Sequence, residues 1–243
     1  MPEFDDQGRY RKMVRSLIDG LGMEAAMRSA PGGDFVGIGA MERDLIIQHG
    51  LKKDGYLIDV GCSSGRLAYP LSEYLSGKYL GVDIVPELVD YARQLVKRAD
   101  WRFEVTSGIT IPEEDKRADM VCFFSVFTHL LHEHSYLYLQ EAARVLKPGG
   151  KIVFSFLELA KSIQWPVFET AIKKLGDNSY PLTMFIEREA IRAWVAHLNV
   201  RIETIEDADK AHVALPHPVT YDNGTVLSGT VPFGQSVCVL AVE

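Results

Sequence analysis

Residues 57–71, LIDVGCSSGRLAYPL, constrain this chain more than any other stretch, because they read as a buried strand, a glycine turn and a helix start. Leu57, Ile58 and Val60 make the short apolar run that a parallel strand covered on both faces needs, and Asp59 places a carboxylate at its carboxyl end. Gly61 and Gly65 let the backbone turn tightly and approach a ligand where a Cβ would obstruct it. In open α/β sheets this junction is where nucleotide-like ligands bind. A dinucleotide fingerprint, G-x-G-x-x-G, would require a third glycine where this chain has Arg66. The spacing is D-x-G-x-S-x-G instead. A plain strand-to-helix connection with no ligand is the other reading of the turn.

Further pieces follow in order. Residues 79–84, YLGVDI, read as a second strand ending in Asp83, eighteen residues after Gly65. On its own Asp83 reads equally as a helix cap ahead of Pro86. Residues 118–130, ADMVCFFSVFTHL, read as a fourth strand and its following loop, and residues 144–156, RVLKPGGKIVFSF, as a helix end, a Pro-Gly-Gly turn and a fifth strand. This series resembles the class I S-adenosylmethionine-dependent methyltransferases, with Ser63 in place of the middle glycine of their first motif. The resemblance implies an α/β fold: a three-layer, doubly wound, mostly parallel seven-stranded sheet with an antiparallel C-terminal hairpin strand. It implies S-adenosylmethionine as cofactor, held by Asp59, Gly61, Cys62, Ser63 and Gly65 at the turn. Asp83 would take the two ribose hydroxyls, since a carboxylate accepts two strong hydrogen bonds from a cis-diol. Ile84, Ser107, Gly108 and Ser125 complete the implied cofactor set. The family often has an aspartate after the third strand for the adenine, where this chain has Thr106, Ser107 and Gly108.

Composition agrees with one such domain. The 243 residues are 47% hydrophobic, enough for one sizeable core. With 26 basic against 33 acidic residues the net charge is −7, which argues against a nucleic-acid partner. Cys62, Cys122 and Cys238 are odd in number and lie in expected strands or the turn, so they read as buried thiols in a reducing, cytoplasmic setting. No apolar run approaches the ~18 residues of a membrane span, and the expectation is no membrane partner. The oligomeric state is left open.

Along the chain, Met13, Leu17, Leu21 and Met27 suggest a helix over residues 9–28, and Leu45 and Ile46 another over residues 40–49. Residues 1–50 thus form a helical extension ahead of a domain over residues 51–243. Phe35, Gly37 and Gly39 in that extension are open to two readings, a hinged lid or packing on the sheet edge. Pro70 after the turn fits only in the first turn of a helix. Residues 101–105 form a third strand. Ile163, Trp165, Phe168, Ile172 and Leu175 mark a helix inserted at about residues 158–186, a position that roofs the substrate pocket in related enzymes. Gly176, Asp177 and Asn178 follow it. A helix over residues 187–198 leads into a strand over residues 200–206, and residues 235–242 form the final strand. The connection between these two strands, holding His212, His217 and Tyr221, reads as a long loop.

His129, His132, Glu133 and His134 lie within six positions, yet a strand end, a loop and a helix start would point them apart, so no metal site is expected. His129 follows the fourth strand, where this fold forms its pocket, and is the first candidate for a base; His217 and Glu158 are lesser ones. The implied reaction is transfer of a methyl group to a small molecule, at a hydroxyl of a glycan-related or secondary metabolite. A methyl sulfonium is already electrophilic, so the protein need only align the acceptor, exclude water and remove a proton. Two competitors remain: a non-catalytic regulator or partner subunit that binds the same cofactor, and an NAD-dependent oxidoreductase, which the position of Arg66 and the final hairpin disfavour.

Overall fold

The computed structural model describes residues 6–177 and 180–243. Residues 1–5 of the expected extension and Asn178 of the expected insert lie outside them. The strands are β1 (Tyr56–Val60), β2 (Lys78–Asp83), β3 (Arg102–Val105), β4 (Ala118–Phe123), β5 (Leu146–Phe156), β6 (Val200–Glu206), β7 (Val213–Thr220), β8 (Val226–Val231) and β9 (Ser236–Val242). The helices are α1 (Asp6–Leu21), α2 (Met23–Ser29), α3 (Phe35–Gln48), α4 (Ala68–Leu71), α5 (Pro86–Val96), α6 (His132–Val145), α7 (Trp165–Lys173) and α8 (Arg188–Val195).

Seven strands form one sheet in the order β3-β2-β1-β4-β5-β9-β6. The pairs from β3 to β5 are parallel, and β9 runs antiparallel to both β5 and β6. Alternation along each strand sends side chains to opposite faces. Leu57 of β1 therefore joins a core under α3, α4 and α5, while Ile58 and Val60 join one under α6 and α8. This is the three-layer, doubly wound architecture expected. The strand order reverses between β1 and β4, and the site lies at that switch point, outside the strands' carboxyl ends.

Three local expectations change. The first helix is broken in two at Gly22, whose φ of 78° suits a residue without a Cβ. The next helix begins at Phe35, five residues earlier than its apolar pattern suggests, because the Asp34 side chain caps it by accepting the Gly37 amide at 2.6 Å. Gly37 and Gly39 are closely packed here: a Cβ at Gly37 would strike the Tyr221 ring, and one at Gly39 would stand 2.3 Å from the Arg66 carbonyl oxygen. The long connection before β9 is not a loop either. It folds into a separate antiparallel hairpin, β7–β8, whose prolines at 216 and 218 hid the strand pattern.

Candidate functional site

Beyond the carboxyl ends of β1, β2 and β4 lies a cavity of about 420 Å³. The glycine turn forms its floor. Gly61 and Cys62 donate their amides to the Val82 carbonyl at 2.8 and 3.0 Å, which folds the turn over β2. Gly61, at φ 76°, leaves no room for a side chain, since a Cβ there would lie 2.4 Å from Val126. Gly65 plays a different part: it does not line the cavity, and its bare Cα lets α5 approach at Ala92 and Val96.

Asp83 ends β2, is 5% exposed and lines the cavity. One carboxylate oxygen accepts the Ser63 amide at 2.9 Å and the other the Val85 amide at 3.0 Å. Val85 is the residue ahead of α5 and no side chain caps that helix, so Asp83 is not its cap, and it keeps lone pairs free for a diol. Burial pushes its pKa up to about 6, partly offset by those backbone donors. Asp59 also lines the cavity, but both its oxygens are engaged from behind, by the Tyr79 hydroxyl at 2.7 Å and the Cys122 thiol at 3.6 Å. Burial lifts it to about 7. Its direct structural work is to hold the turn against β2 and β4.

Ile84, Ser63, Cys62 and Ser125 line the cavity as expected. Ser63 Oγ is buried beside the Tyr10 phenol without a well-formed hydrogen bond. Ser125 takes a positive φ of 58°; its amide donates to Ser155 Oγ at 2.8 Å and its hydroxyl accepts from Gln235 at 3.1 Å. Backbone strain of this kind gathers at functional sites. Ser107 and Gly108 do not reach the cavity; Thr106 does, and the Gly108 carbonyl instead accepts from Tyr138 at 3.3 Å.

His129 lines the same cavity, in a 3-10 turn, Phe127–His129. Its Nδ1 is 2.7 Å from the Leu182 carbonyl oxygen, which can only accept, so Nδ1 carries the proton and Nε2 keeps its lone pair. Burial lowers the imidazole pKa, which leaves the ring neutral near pH 7. The other two candidate bases do not belong to the cavity. Glu158 is 2% exposed, clamped by Arg188 at 2.8 and 3.1 Å and by the Ser236 hydroxyl, within a network that includes Asp207. A carboxylate so fully paired has structural work only. His217 is exposed on β7.

Two groups were not expected from the sequence. Tyr10 enters the cavity from α1 on the face that also carries Met13 and Leu17, its ring 5.9 Å from that of His129. That i, i+3, i+7 spacing was the available signal. Glu42 and Arg66 form a buried pair at the cavity wall, Arg66 also donating to the carbonyls of Pro31 and Gly32 at 2.7 and 2.8 Å. No local pattern announces a pair twenty-four residues apart. Tyr180 and Pro181, from the insert expected to roof the pocket, also line the cavity.

Residues 58–154 match the family model of a methyltransferase domain. The sheet order and the D-x-G-x-S-x-G turn at the switch point agree with this match over two fifths of the chain, and together they support a class I S-adenosylmethionine-dependent methyltransferase. Among curated relatives, an uncharacterized methyltransferase of Schizosaccharomyces pombe is 28% identical over 109 residues, 45% of this chain and 41% of that protein. A ubiquinone biosynthesis O-methyltransferase of Xanthomonas oryzae is 24% identical over 156 residues, 61% of this chain and 64% of that one. The chain thus spans less than two thirds of the length of these relatives. Among solved structures, magnesium protoporphyrin IX methyltransferase from Synechocystis, with bound SAH, shares the fold at a TM-score of 0.61 and 15% identity, over 96% of this chain and 100% of that one. The residues fit an adenosyl cofactor: a buried diol acceptor, a glycine floor that a Cβ would fill, and a buried Ser63 hydroxyl with polar capacity to spare.

Proposed function

We propose that this chain transfers a methyl group from S-adenosylmethionine to a hydroxyl of a small, largely apolar molecule. The observation that carries the reading is the single cavity that joins Asp83, preset by two backbone amides, to His129, preset by the Leu182 carbonyl with its other nitrogen unprotonated. Asp83 would hold the ribose diol, and the glycine turn would let the backbone lie against the cofactor. When bound, S-adenosylmethionine supplies a methyl group on a sulfonium, which needs no further activation. The chain's own work is then positional. Tyr10, Met13 and Leu17 on one side and Tyr180 and Pro181 on the other keep water out and confine the acceptor. His129 Nε2 receives the acceptor's hydroxyl proton as its oxygen is alkylated, and a neutral imidazole suits that task near pH 7.

Much of the cavity lining is apolar, Met13, Leu17, Val126, Leu130 and Pro181 among it, with His129 as its imidazole. Such walls suit a secondary metabolite better than a glycan, whose many hydroxyls would be left unpaired. The Xanthomonas relative, a ubiquinone biosynthesis O-methyltransferase, is in keeping with this. Calorimetry of the purified chain with S-adenosylmethionine, its demethylated product and NAD tests the reading. Micromolar binding of the first two and none of NAD is the expected result; tight NAD binding, or no binding of any, would overturn it.

A further inference from the structure

Helix α1 is seated on the glycine turn and the start of α5. Arg11 Nε donates to the Ile84 carbonyl at 3.2 Å, one residue beyond Asp83, and Val14 joins Met27, Val85 and Leu88 in a small separate core. The Ser64 hydroxyl, inside the turn, donates to the Met27 carbonyl of α2 at 2.6 Å. Tyr10, one residue before Arg11, is thereby carried into the cavity. Its phenol stands beside Ser63 Oγ, and its charged or titratable neighbours are Asp83, Arg66 and Cys62.

Three donors meet around that point with hydrogen-bonding capacity left over. Ser63 is 6% exposed, and its Oγ lacks a well-formed hydrogen bond. The Tyr10 hydroxyl keeps its proton near neutral pH, because burial and the neighbouring Asp83 hold its pKa well above the ordinary phenol value. Arg66 has five N–H donors, and its four hydrogen bonds to Glu42, Pro31 and Gly32 leave one over. Buried donors with nothing to meet are costly, so the ligand of this cavity should bring them an acceptor. The acceptor that suits two hydroxyls and an N–H together is a carboxylate, with two oxygens and about four lone-pair sites. S-adenosylmethionine carries one on its amino-acid tail, which the sulfonium joins to the ribose. With the diol on Asp83 the tail must lie beside that residue, where Tyr10 and Ser63 are. As a zwitterion it adds no net charge there.

We propose that the Tyr10 and Ser63 hydroxyls, with the remaining Arg66 N–H, hold the carboxylate of the cofactor's amino-acid tail. The inference rests on the methyltransferase reading and gives α1 a binding role. The site is then built in two parts: the sheet and its turn take the adenosyl half, and α1 takes part in holding the tail. A cofactor that engages Tyr10 favours the seated position of α1, whereas one without the carboxylate leaves that contact unmade.

Calorimetry on the full chain tests this, with S-adenosylmethionine and with its decarboxylated form, which keeps the sulfonium and the ammonium. The unaltered chain should bind the decarboxylated form about 10- to 100-fold more weakly. Tyr10→Phe removes only a hydroxyl, and should weaken S-adenosylmethionine binding by about tenfold while leaving the decarboxylated form unaffected. Ser63→Ala should do likewise. Hydrogen exchange on the unaltered chain gives a readout that needs no variant: S-adenosylmethionine should protect residues 6–21, and the decarboxylated form should not. Equal affinity of the unaltered chain for the two ligands would overturn the inference. So would a Tyr10→Phe variant that binds both as the parent does, or one that loses affinity for both equally, which would make Tyr10 a packing residue. If neither ligand binds the unaltered chain, the methyltransferase reading falls and the tail assignment with it; if both bind equally well, the tail assignment alone falls.

Discussion

Asp83→Asn is the substitution that most directly interrogates the cofactor site. The carboxylate receives one backbone amide on each oxygen, from Ser63 at 2.9 Å and Val85 at 3.0 Å, and its remaining lone pairs face the cavity. Asparagine keeps the volume and replaces one acceptor oxygen with a donor. Whichever way the amide turns, its NH2 group faces a backbone N–H, and only one neutral acceptor is left for the diol. Hydrogen bonds to charged groups contribute about 1.5–3 kcal/mol each. Losing the charge and one such bond should weaken S-adenosylmethionine binding by roughly 10- to 100-fold. The same substitution has a second, opposite signature in the ligand-free protein. The folded-state pKa of Asp83 is raised from 3.8 to about 6, so its contribution to stability is fully present below pH 3.8 and is lost as pH rises through 6. At pH 7 the buried charge costs about 3 kcal/mol relative to the protonated group, a cost asparagine does not carry. Calorimetry at pH 7.5 together with urea unfolding between pH 4 and 8 reads both effects. Unaltered affinity would refute the placement of the cofactor at Asp83, and unfolding that retains the same pH dependence in the variant would refute its raised pKa.

Other substitutions test the remaining parts. His129→Gln should lower turnover by about 10²- to 10⁴-fold with cofactor affinity retained. In the parent enzyme, turnover should rise with pH through a point below the ordinary imidazole value of 6.5, because burial lowers the His129 pKa; a rise centred above that value would count against it as base. Glu42→Ala leaves the buried Arg66 guanidinium without its carboxylate and should cost about 3–5 kcal/mol in urea unfolding. A loss well below that would show that the Pro31 and Gly32 carbonyls suffice. Gly39→Ala puts a methyl group 2.3 Å from the Arg66 carbonyl oxygen, so α3 or the glycine turn must shift. It should cost about 1–3 kcal/mol and also weaken S-adenosylmethionine binding, whereas a stable variant with full affinity would disprove the tight seat of α3 on the turn.

The central sheet was legible in the sequence because each strand there carries its own signal. β1 is an apolar run interrupted only by Asp59 and ended by glycine, β2 ends in Asp83 before Pro86, and the apolar part of β5, residues 152–156, comes directly after Pro148, Gly149, Gly150 and Lys151, which the strand also takes in. Ser125 and His129 line the cavity because the segment after β4 leaves from its carboxyl end, and position along a strand fixes which end a residue reaches. What escaped depends on contacts between segments distant in sequence. Glu158 resembled a free acid after β5 until Arg188 and Ser236, thirty and seventy-eight residues on, were seen to occupy it. Gly37 and Gly39 resembled hinge glycines, and their reason is tertiary: one makes room for Tyr221, the other for the backbone at Arg66. Tyr10 and Glu42 sit on ordinary-looking helices, and nothing local distinguishes a cavity-facing side chain from a core one.

These long-range contacts form one chain of support behind the site. The Asp34 side chain caps α3 with one oxygen and accepts the Asp222 amide, beyond β7, with the other at 2.6 Å. Tyr221, the neighbour of Asp222, lies on Gly37 and donates to Met41 Sδ at 3.2 Å. Gly39 and Glu42 of the same helix then seat Arg66 through its carbonyl and its guanidinium, and Arg66 is part of the glycine turn. The hairpin β7–β8 is thus tied to the cofactor floor by hydrogen bonds and close packing, without touching the cavity itself. A floor that must present Asp59 and Asp83 in buried positions, where their ionised forms are penalised, needs such bracing, since an unbraced turn would relax by exposing them to water. The hairpin is therefore part of how this chain keeps its site preorganised, although none of its residues would meet a ligand there.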